Sequence, residues 1–409
     1  MTTTPLHYLT IAQAGSLIRS GSLSPVELAG AFLERIEALD PSLNSYITVT
    51  ADLAMEQARR AEAELSAGHD RGPLHGIPIA LKDLFDTAGV PTTSGSRIFA
   101  DRVPAEDGTV TARLREAGAV LLGKLAMSEN AAGGPDPTSA FTIPSNPWNL
   151  EHHAGGSSSG SAVAASAGLA MGTMGSCTRG SIRAPAAFCG VVGLKATYGR
   201  VSRHGVLPLS WTLDHAGPIA PTVEDAAIML GAIAGYDPGD PTSSAAPVPD
   251  YRACLEDGIR GMRIGVARHF FFDRTRPLVQ NGPLDLAERA IAELESLGAH
   301  IEEISIPALD IADAAALAIL LGEGYTFHER NLRDRPELYG DLNRAEFRVG
   351  GLFSMTEYVQ AQRARNVLKR QFADALSRVD VIASPTFAVA APRHDAGPGT
   401  AVTMMPSFT

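Results

Sequence analysis

The amino-terminal third of the chain carries apolar residues at helical spacing in two segments. A helix is predicted from Val26 to Leu39, after the turn sequence SLSP, and a second from Ala51 to Leu65. The short apolar run GIPIALKD then predicts a buried strand that delivers Lys82 at its carboxyl end. The segment TVTARLREAGAVLLGKL, which begins at Thr109, predicts a helix, a turn and a further strand.

A serine-rich loop that enters an alanine-rich helix is predicted for GGSSSGSAVAASAGLAMG, which begins at Gly155. A flexible Gly/Ser linker is the alternative, but linkers are not followed by a continuous apolar helix pattern. Farther along, MRIGVAR predicts a strand, Pro283 to Leu297 a helix, HIEEISI a strand, Thr356 to Leu376 a long helix, and VDVIASPTF a last strand. This alternation predicts an α/β fold.

Composition narrows the class of protein. With 409 residues, 45% of them hydrophobic, the chain can bury a large core, and its length allows two or three domains. The net charge of −11 comes without a block of like charges, which argues against nucleic acid or an anionic membrane surface as a partner and favours a small substrate. Three cysteines, Cys177, Cys189 and Cys254, lack metal-site spacing and are an odd number. The sequence therefore does not predict a disulfide framework. It predicts a reducing, cytoplasmic location.

Neither secretion nor membrane insertion is expected. The first residues, MTTTPLHYLTIAQAG, contain no basic segment followed by an apolar run, which a secretory signal would require. The most apolar stretch, AAALAILLG from Ala314, is shorter than the ~20 residues that a helix needs to cross a bilayer.

Three side chains carry the candidate chemistry: Lys82, Ser157 and Ser181. Most lysines are solvated surface charges, but Lys82 ends an apolar run, where burial would lower its pKa and leave a neutral amine able to act as a base. A serine hydroxyl is a poor nucleophile until a base takes its proton, and a lysine that acts through a second serine can be that base. Ser181, in RGSIRAPAAFCG, has helix capping as its alternative role. The set predicts acyl transfer from amides.

The stretch from Gly155 to about Asp225 resembles the signature region of the amidase signature family. The resemblance extends to the lysine segment from Gly76 to Gly95, to GKLAMSEN from Gly123 and to NPWN at Asn146, and more weakly over most of the chain. It implies hydrolysis of a carboxylic amide C–N bond on a small molecule. No metal or organic cofactor is implied.

The fold that the resemblance implies is a single α/β domain over residues 1–409, with a large mixed, twisted sheet covered by helices on both faces. Residues 1–70 would form an amino-terminal helical layer. Residues 71–235 would form the catalytic core that holds the lysine and both serines. Residues 236–409 would form an α/β remainder. Because the family usually continues past MMPSFT through a further strand and a closing helix, the chain is expected to be short at its carboxyl terminus.

The mechanism implied by the resemblance has two steps. Neutral Lys82 draws a proton through Ser157 while Ser181 attacks the amide carbonyl, and the acyl-enzyme is then hydrolysed. The family has a cis peptide bond at the position of Ser157. The sequence alone does not separate Ser157 from its neighbouring serines, but it stands 24 positions before Ser181, which is the family's interval.

Further site residues follow only from the resemblance. Backbone N–H groups of the loop that ends at Ser181 would hold the oxyanion, and Ala131 aligns with a pocket wall. For Arg183, a salt bridge that braces the loop and a contact with a substrate carboxylate are both open. The substrate-binding and oxyanion residues implied are Thr178, Arg179, Gly180, Ser158, Ala131 and Arg183.

Two residues depart from the family's usual G-T-D-T-G-G-S. Cys177 replaces the aspartate and so removes a carboxylate that would brace the loop, and Arg179 replaces a glycine. If that position requires a positive φ, arginine would strain the loop, and its side chain must leave the pocket or cap it. One hypothesis is that Arg179 binds an acidic or polar group of the substrate. The other is a weakened or non-catalytic member of the family.

Two further alternatives concern the subunits with which the chain assembles and the chemical bond that it cleaves. The chain could be the glutaminase subunit of a tRNA-dependent amidotransferase, which would need partner subunits, although SRHGVLPLSWTLDHAGP looks more like a stand-alone amidase. A homodimer is the assembly that the family often adopts. Esters, hydrazides and carbamates share the carbonyl chemistry of amides.

Overall fold

The structure is a computed structural model that describes residues 4–276 and 279–396. Strands and helices alternate along most of this length. The described strands are β1 (Tyr46–Val49), β2 (Pro78–Lys82), β3 (Val120–Leu125), β4 (Ser145–Asn146), β5 (Asn149–His153), β6 (Gly172–Cys177), β7 (Val192–Gly193), β8 (His215–Ala220), β9 (Arg263–Val266), β10 (His300–Glu303) and β11 (Val381–Ile382). The described helices are α1 (Ile11–Arg19), α2 (Pro25–Leu43), α3 (Ala51–Ser66), α4 (Thr109–Glu116), α5 (Ser159–Ser166), α6 (Arg183–Cys189), α7 (Val223–Ile233), α8 (Arg268–Phe271), α9 (Asn281–Ser296), α10 (Ala312–Asp334), α11 (Asp341–Gly350) and α12 (Met355–Leu376).

The central sheet is mixed and has the strand order β1-β3-β2-β6-β8-β7. Its middle strand, β2, is parallel to both of its neighbours, β3 and β6, whereas β1, β8 and β7 join by antiparallel pairing. Parallel pairing brings the carboxyl ends of β2 and β6 to the same edge of the sheet. That edge therefore collects Lys82, the last residue of β2, and the loop that follows Cys177 in β6.

The strands of this edge are buried because, apart from Lys82 and Lys124, their residues are apolar or small. All five residues of β2 are buried, and so are all six of both β3 and β6. Such uninterrupted burial is typical of strands that helices cover on both faces. Because Lys82 is the last residue of β2, its amine lies in the interior with the rest of the strand.

Several helices begin at the residues that their sequences indicate. Ser24 caps α2 by accepting from the N–H groups of Val26 and Glu27, and Ser354 forms a capping box with Glu357 at the start of α12. The sequence-predicted end of α2 at Leu39 is too early, because the helix passes through Pro41 and ends only at a left-handed C-cap residue, Asn44.

A smaller, fully parallel sheet with the order β10-β9-β11 forms in the carboxyl-terminal part and has its own apolar core. The last strand is shorter than VDVIASPTF predicts, because only Val381 and Ile382 pair with β9. Pro385, three residues farther on, has no N–H to donate to a ladder.

The fold class predicted from the sequence is confirmed: the chain is a mixed α/β protein whose sheet is covered by helices. The larger apolar core joins the amino-terminal helices to the central sheet and also includes Leu332, Tyr339 and Phe347 from the carboxyl-terminal part. The division at residues 70 and 235 stays a prediction. Among the described residues, no helix combines the length and apolar character that crossing a bilayer requires.

The carboxyl-terminal helices are tied to the central part by buried hydrogen bonds. The Glu129 carboxylate accepts from the N–H of Gly340 at 2.8 Å and from the Ser96 hydroxyl at 2.6 Å. The Asn343 side chain, on α11, bonds both the Asn130 side chain and the Glu129 carbonyl, each at 2.9 Å. These contacts set α11 against the segment that follows β3.

A buried ion pair lies beside the edge of β2. Nζ of Lys124, on β3, is 3.4 Å from Oδ1 of Asp83, and both side chains are fully buried. Lys124 also donates to the Phe85 carbonyl at 2.8 Å and the Thr92 hydroxyl at 2.6 Å. Burial lowers the pKa of Lys124 to about 8, while Asp83 acts in the opposite direction. Burial likewise raises the pKa of Asp83, while Lys124 opposes that shift.

Replacing Lys124 with methionine is expected to destabilise the fold. The substitution leaves the Asp83 carboxylate buried without its cation, and removing one member of a buried pair lowers the free energy of unfolding by about 3–5 kcal/mol. Urea denaturation followed by circular dichroism measures the change. Arg330→Met, in the exposed Arg330–Asp334 pair, is the control and should unfold like the parent protein. Equal midpoints for the Lys124 variant and the parent would contradict a stabilising role of the pair.

Candidate active site

Lys82 is the centre of the site. Its side chain is fully buried, and its Nζ donates to Oγ of Ser157 at 2.7 Å and to Oγ of Ser176 at 2.8 Å. Burial lowers the pKa of Lys82 to about 7, whereas the nearby Cys177 and Asp214 act to raise it. A substantial fraction of this amine is therefore neutral near pH 7, and a neutral amine has the lone pair that a base requires.

Ser157 follows a cis peptide bond, Gly156–Ser157, as the resemblance implies. The residue is buried, and its carbonyl accepts from the N–H of Ser128 at 3.0 Å. The next residue, Ser158, donates its hydroxyl to the Ser176 carbonyl at 3.1 Å and precedes α5. The serine-rich loop is thus fixed to the end of β3 on one side and to β6 on the other.

Ser181 lies two residues before α6 and is half-buried. Its carbonyl accepts from the N–H of Ser158 at 3.2 Å, and the carbonyl of Gly180 accepts from Ala184 at 2.8 Å as the helix begins. These bonds bring the Ser181 segment against the turn that holds Ser157. The structure therefore joins the Lys82 and Ser157 side chains directly and places the Ser181 backbone against the adjoining residue, Ser158.

The loop from Thr178 to Ser181 is braced by a buried carboxylate. Oγ1 of Thr178 donates to Oδ1 of Asp214 at 2.6 Å, and Oδ2 of Asp214 accepts from the N–H groups of Leu209 and Ser210 at 2.8 and 2.9 Å. Within the described ranges, no hydrogen bond uses the N–H of Arg179, Gly180 or Ser181 as its donor.

The strain considered for Arg179 is absent. The described non-glycine residues with positive φ are Asn44, Ser94, Asn130 and Ala131, so Arg179 does not need the conformational freedom of glycine. Its side chain leaves the loop toward α10, where Nη1 lies 3.0 Å from Oδ1 of Asp313. Cys177 is fully buried at the end of β6. A carboxylate brace is present despite this cysteine, because Asp214 reaches the loop through Thr178.

Two other predicted residues occupy less direct positions. Ala131 is buried, has a φ of 59° and donates its N–H to the Ser128 carbonyl at 3.0 Å. Arg183 is the first residue of α6 and is half-buried. Burial lowers the pKa of Lys195, and the charge of Arg183 acts in the same direction. The roles of Ala131 and Arg183 in binding a substrate stay predictions.

A narrow cleft opens beside the cis peptide bond, with room inside it for about one water molecule. The predicted site residues are not among its lining, but Gly155 and Ser159 lie on either side of the Ser157 turn. The lining residues are Met127, Ser128, Glu129, Ala132, Gly134, Pro135, Asp136, Ser139, Phe141, Thr142, Ile143, Pro144, Gly155, Ser159, Leu342 and Asn343. In residues 4–276 and 279–396, no group of three or more His, Cys, Asp or Glu side chains is placed to hold a metal ion.

Sequence reasoning missed three residues that the structure places around these groups. Ser176 contacts the Lys82 amine, Asp214 holds Thr178, and Asp313 pairs with Arg179. Ser176 could have been found because it immediately precedes Cys177 in the motif. Asp214 lies in the quoted segment SRHGVLPLSWTLDHAGP, but nothing there indicates that it faces Thr178. Asp313 carries no signal in the sequence, since it lies 134 residues from its partner.

Comparison with known proteins places this geometry in a family. The family model described as Amidase matches residues 27–408. The A subunit of glutamyl-tRNA(Gln) amidotransferase from Moorella thermoacetica is 41% identical over 404 residues, which cover 93% of this chain and 82% of that protein.

Solved structures agree with this assignment. A structure from work on a vestigial protein complex and the origins of an s-triazine catabolic enzyme has a TM-score of 0.90 and 33% identity, covering 98% of this chain and 88% of its own. The native peptide amidase of Stenotrophomonas maltophilia has a TM-score of 0.84 and 34% identity, covering 99% of this chain and 89% of its own. The chain belongs to the amidase signature family, whose members hydrolyse C–N amide bonds.

Proposed function

We propose that this protein hydrolyses the C–N bond of a small carboxamide through an acyl-enzyme on Ser181, with Lys82 and Ser157 as the proton relay. The observation that carries the proposal is the buried Lys82 amine within 2.7 Å of the Ser157 hydroxyl, because such an amine is a base at neutral pH. The backbone contact between Ser158 and Ser181 supports it by holding the second serine beside the first.

In the first step, Oγ of Ser181 attacks the carbonyl carbon as its proton passes to Ser157 and the Ser157 proton passes to Lys82. The carbonyl oxygen becomes an oxyanion. N–H groups of Arg179, Gly180 and Ser181 would hold it, since they have no other described acceptor and are fixed before the reaction. Collapse of the tetrahedral species breaks the C–N bond, and the relay returns the proton to the leaving nitrogen.

In the second step, water attacks the Ser181 ester. The relay takes a proton from the water, and the ester oxygen leaves as the Ser181 hydroxyl when the proton is returned. The net reaction consumes one water and yields a carboxylic acid and ammonia or an amine. The amine of Lys82 is neutral at the start and at the end of each step, because it accepts a proton and then returns it. The cycle therefore needs no other acid or base.

A second candidate is the glutaminase subunit of a tRNA-dependent amidotransferase, in which the same chemistry would release ammonia from glutamine. The 41% identity to the Moorella amidotransferase protein over 93% of this chain favours it. Under this proposal the protein would act with partner subunits, whereas a stand-alone amidase would be complete as a monomer or a homodimer. Both candidates place the enzyme in the cytoplasm, which suits three cysteines that are all unpaired.

Two measurements separate these candidates. Ammonia release is assayed with glutamine and with simple carboxamides, first for the protein alone and then with the remaining subunits of an amidotransferase from the same organism. Gel filtration of the mixture reports association. Glutamine hydrolysis that rises on association supports the amidotransferase role, whereas hydrolysis of simple amides with no association supports the stand-alone enzyme.

Substitution of the three relay residues tests the mechanism directly. Ser181→Ala is expected to abolish labelling by a fluorophosphonate probe, measured by intact mass, because the nucleophile is lost. Lys82→Ala and Ser157→Ala should slow labelling by about 100-fold or more, since a positioned base contributes on that scale.

Ser161→Ala is the matched control for these variants. Ser161 belongs to the same serine run but donates to the Met174 carbonyl instead of contacting Lys82, so its variant should label at the parent rate. Labelling that persists in Ser181→Ala would rule out the proposed nucleophile. A folded parent protein that takes up no label would instead favour a non-catalytic member of the family.

The labelling rate is expected to rise with pH through about 7. Burial lowers the pKa of Lys82 to about 7, so the amine is protonated below that pH and becomes a base above it. Rates are measured between about pH 5.5 and pH 8.5, with Lys82→Arg as the control, because arginine stays charged over this range. A parent rate that is flat or falling with pH would contradict neutral Lys82 as the base.

A further inference from the structure

Arg179 leaves most of its hydrogen-bonding capacity unused next to the proposed nucleophile. In the described part of the chain, its single hydrogen bond runs from Nη1 to Oδ1 of Asp313, at 3.0 Å. A guanidinium has five N–H donors in a planar fork, and that fork matches a carboxylate with two parallel bonds. The side chain is 32% exposed, so the remaining donors can meet a ligand from solvent.

The partner of Arg179 is easily exchanged. Asp313 lies in the first turn of α10, and its side chain is 73% exposed, so water competes for its carboxylate. Exposed ion pairs of this kind contribute little net stability. A substrate carboxylate that reaches the guanidinium can therefore replace Asp313 without breaking a buried contact.

Arg179 lies near Glu346 of α11, the helix that also contributes Leu342 and Asn343 to the cleft. The charge of Arg179 acts on the Glu346 carboxyl of α11, and so does that of Asp136, which lines the cleft. A Cβ added to Gly133 would lie 3.1 Å from Oε2 of Glu346, and the residue after Gly133, Gly134, lines the cleft.

The acidic groups near Arg179 leave it able to bind an anion. Burial raises the pKa of Glu346, which favours its neutral form, although the charge of Arg179 opposes that shift. The Asp136 carboxylate is already satisfied by N–H donors of Thr138 and Leu342. The exposed Asp313 is then the main competitor for the guanidinium.

We propose that Arg179 selects amides whose acyl group carries a carboxylate, such as the ω-amide of a short dicarboxylic acid, with the substrate carboxylate replacing Asp313. This inference rests on the proposed function, because it takes Ser181 as the point of attack. Arg179 is two positions before Ser181, so their Cα atoms are at most about 7 Å apart. The proposal takes a substrate in which a short chain joins the carboxylate to the amide carbon, a description that includes glutamine.

The test compares glutaramate, the monoamide of a five-carbon dicarboxylic acid, with pentanamide, which has the same chain without the carboxylate. Hydrolysis of both is measured for the parent protein, Arg179→Gln and Asp313→Asn. Arg274→Gln is the matched control, because the exposed Arg274–Asp285 pair lies in a different segment. Binding of both compounds to Ser181→Ala, with and without Arg179→Gln, is measured by calorimetry, which requires no turnover.

The parent should prefer glutaramate through a lower KM, and Arg179→Gln should reduce that preference by about tenfold or more, the effect of losing one charge-assisted contact. Asp313→Asn should increase the preference, since it removes the competing carboxylate. Arg274→Gln should leave the hydrolysis rates of glutaramate and of pentanamide unchanged.

An unchanged preference in Arg179→Gln would overturn the inference. So would equal losses of turnover on both substrates in the Arg179 and Asp313 variants, because they would make the pair a brace for the loop. If the parent hydrolyses neither compound, the proposed function fails and calorimetry tests the inference separately. Binding of glutaramate that depends on Arg179 would then support the inference. Failure of glutaramate to bind would overturn the inference.

Discussion

The desolvation of one amine is the constraint on which the site depends. Lys82 ends a strand with no exposed residue, and its Nζ donates to two serine hydroxyls. An ion pair at this point would hold the lysine charged, as Asp83 helps to do for the neighbouring Lys124. Two buried lysines on adjacent strands therefore have different partners: Lys124 has a carboxylate, whereas the hydrogen-bond partners of Lys82 in the described part of the chain are hydroxyls, as the proposed base requires.

The loop that ends at Ser181 is held by contacts outside the motif itself. Thr178 is bonded to a buried aspartate that precedes β8, and Arg179 reaches an exposed aspartate at the start of α10. The residues at positions 177 and 179 thus change the charge around the loop, while its backbone needs no left-handed residue at position 179. This removes the physical reason to regard the departures from the family pattern as damage.

Much of the fold could be predicted because its signals are local. The strand that ends at Lys82 follows from an uninterrupted apolar run, and α5 follows from small residues after a serine-rich loop. The boundary errors have local causes as well, since Pro41 obscures the last turn of α2. The sequence-predicted catalytic residues came from a motif. The contacts of Ser176, Asp214 and Asp313 join segments that are far apart in the sequence, and the periodicity of apolar residues does not indicate such contacts.

The placement of α11 links the proposed chemistry to the choice of substrate. Asn343 bonds the Asn130 side chain and the Glu129 carbonyl, just before Ala131. The same helix supplies Leu342 to the cleft and Glu346 to the neighbourhood of Arg179. The proposed relay lies at the edge of the central sheet, where burial lowers the pKa of Lys82, while the carboxyl-terminal helices contribute, through α11, to the cleft beside the cis peptide bond. Changes in those helices can therefore alter which amide is bound and leave the desolvation of Lys82 intact.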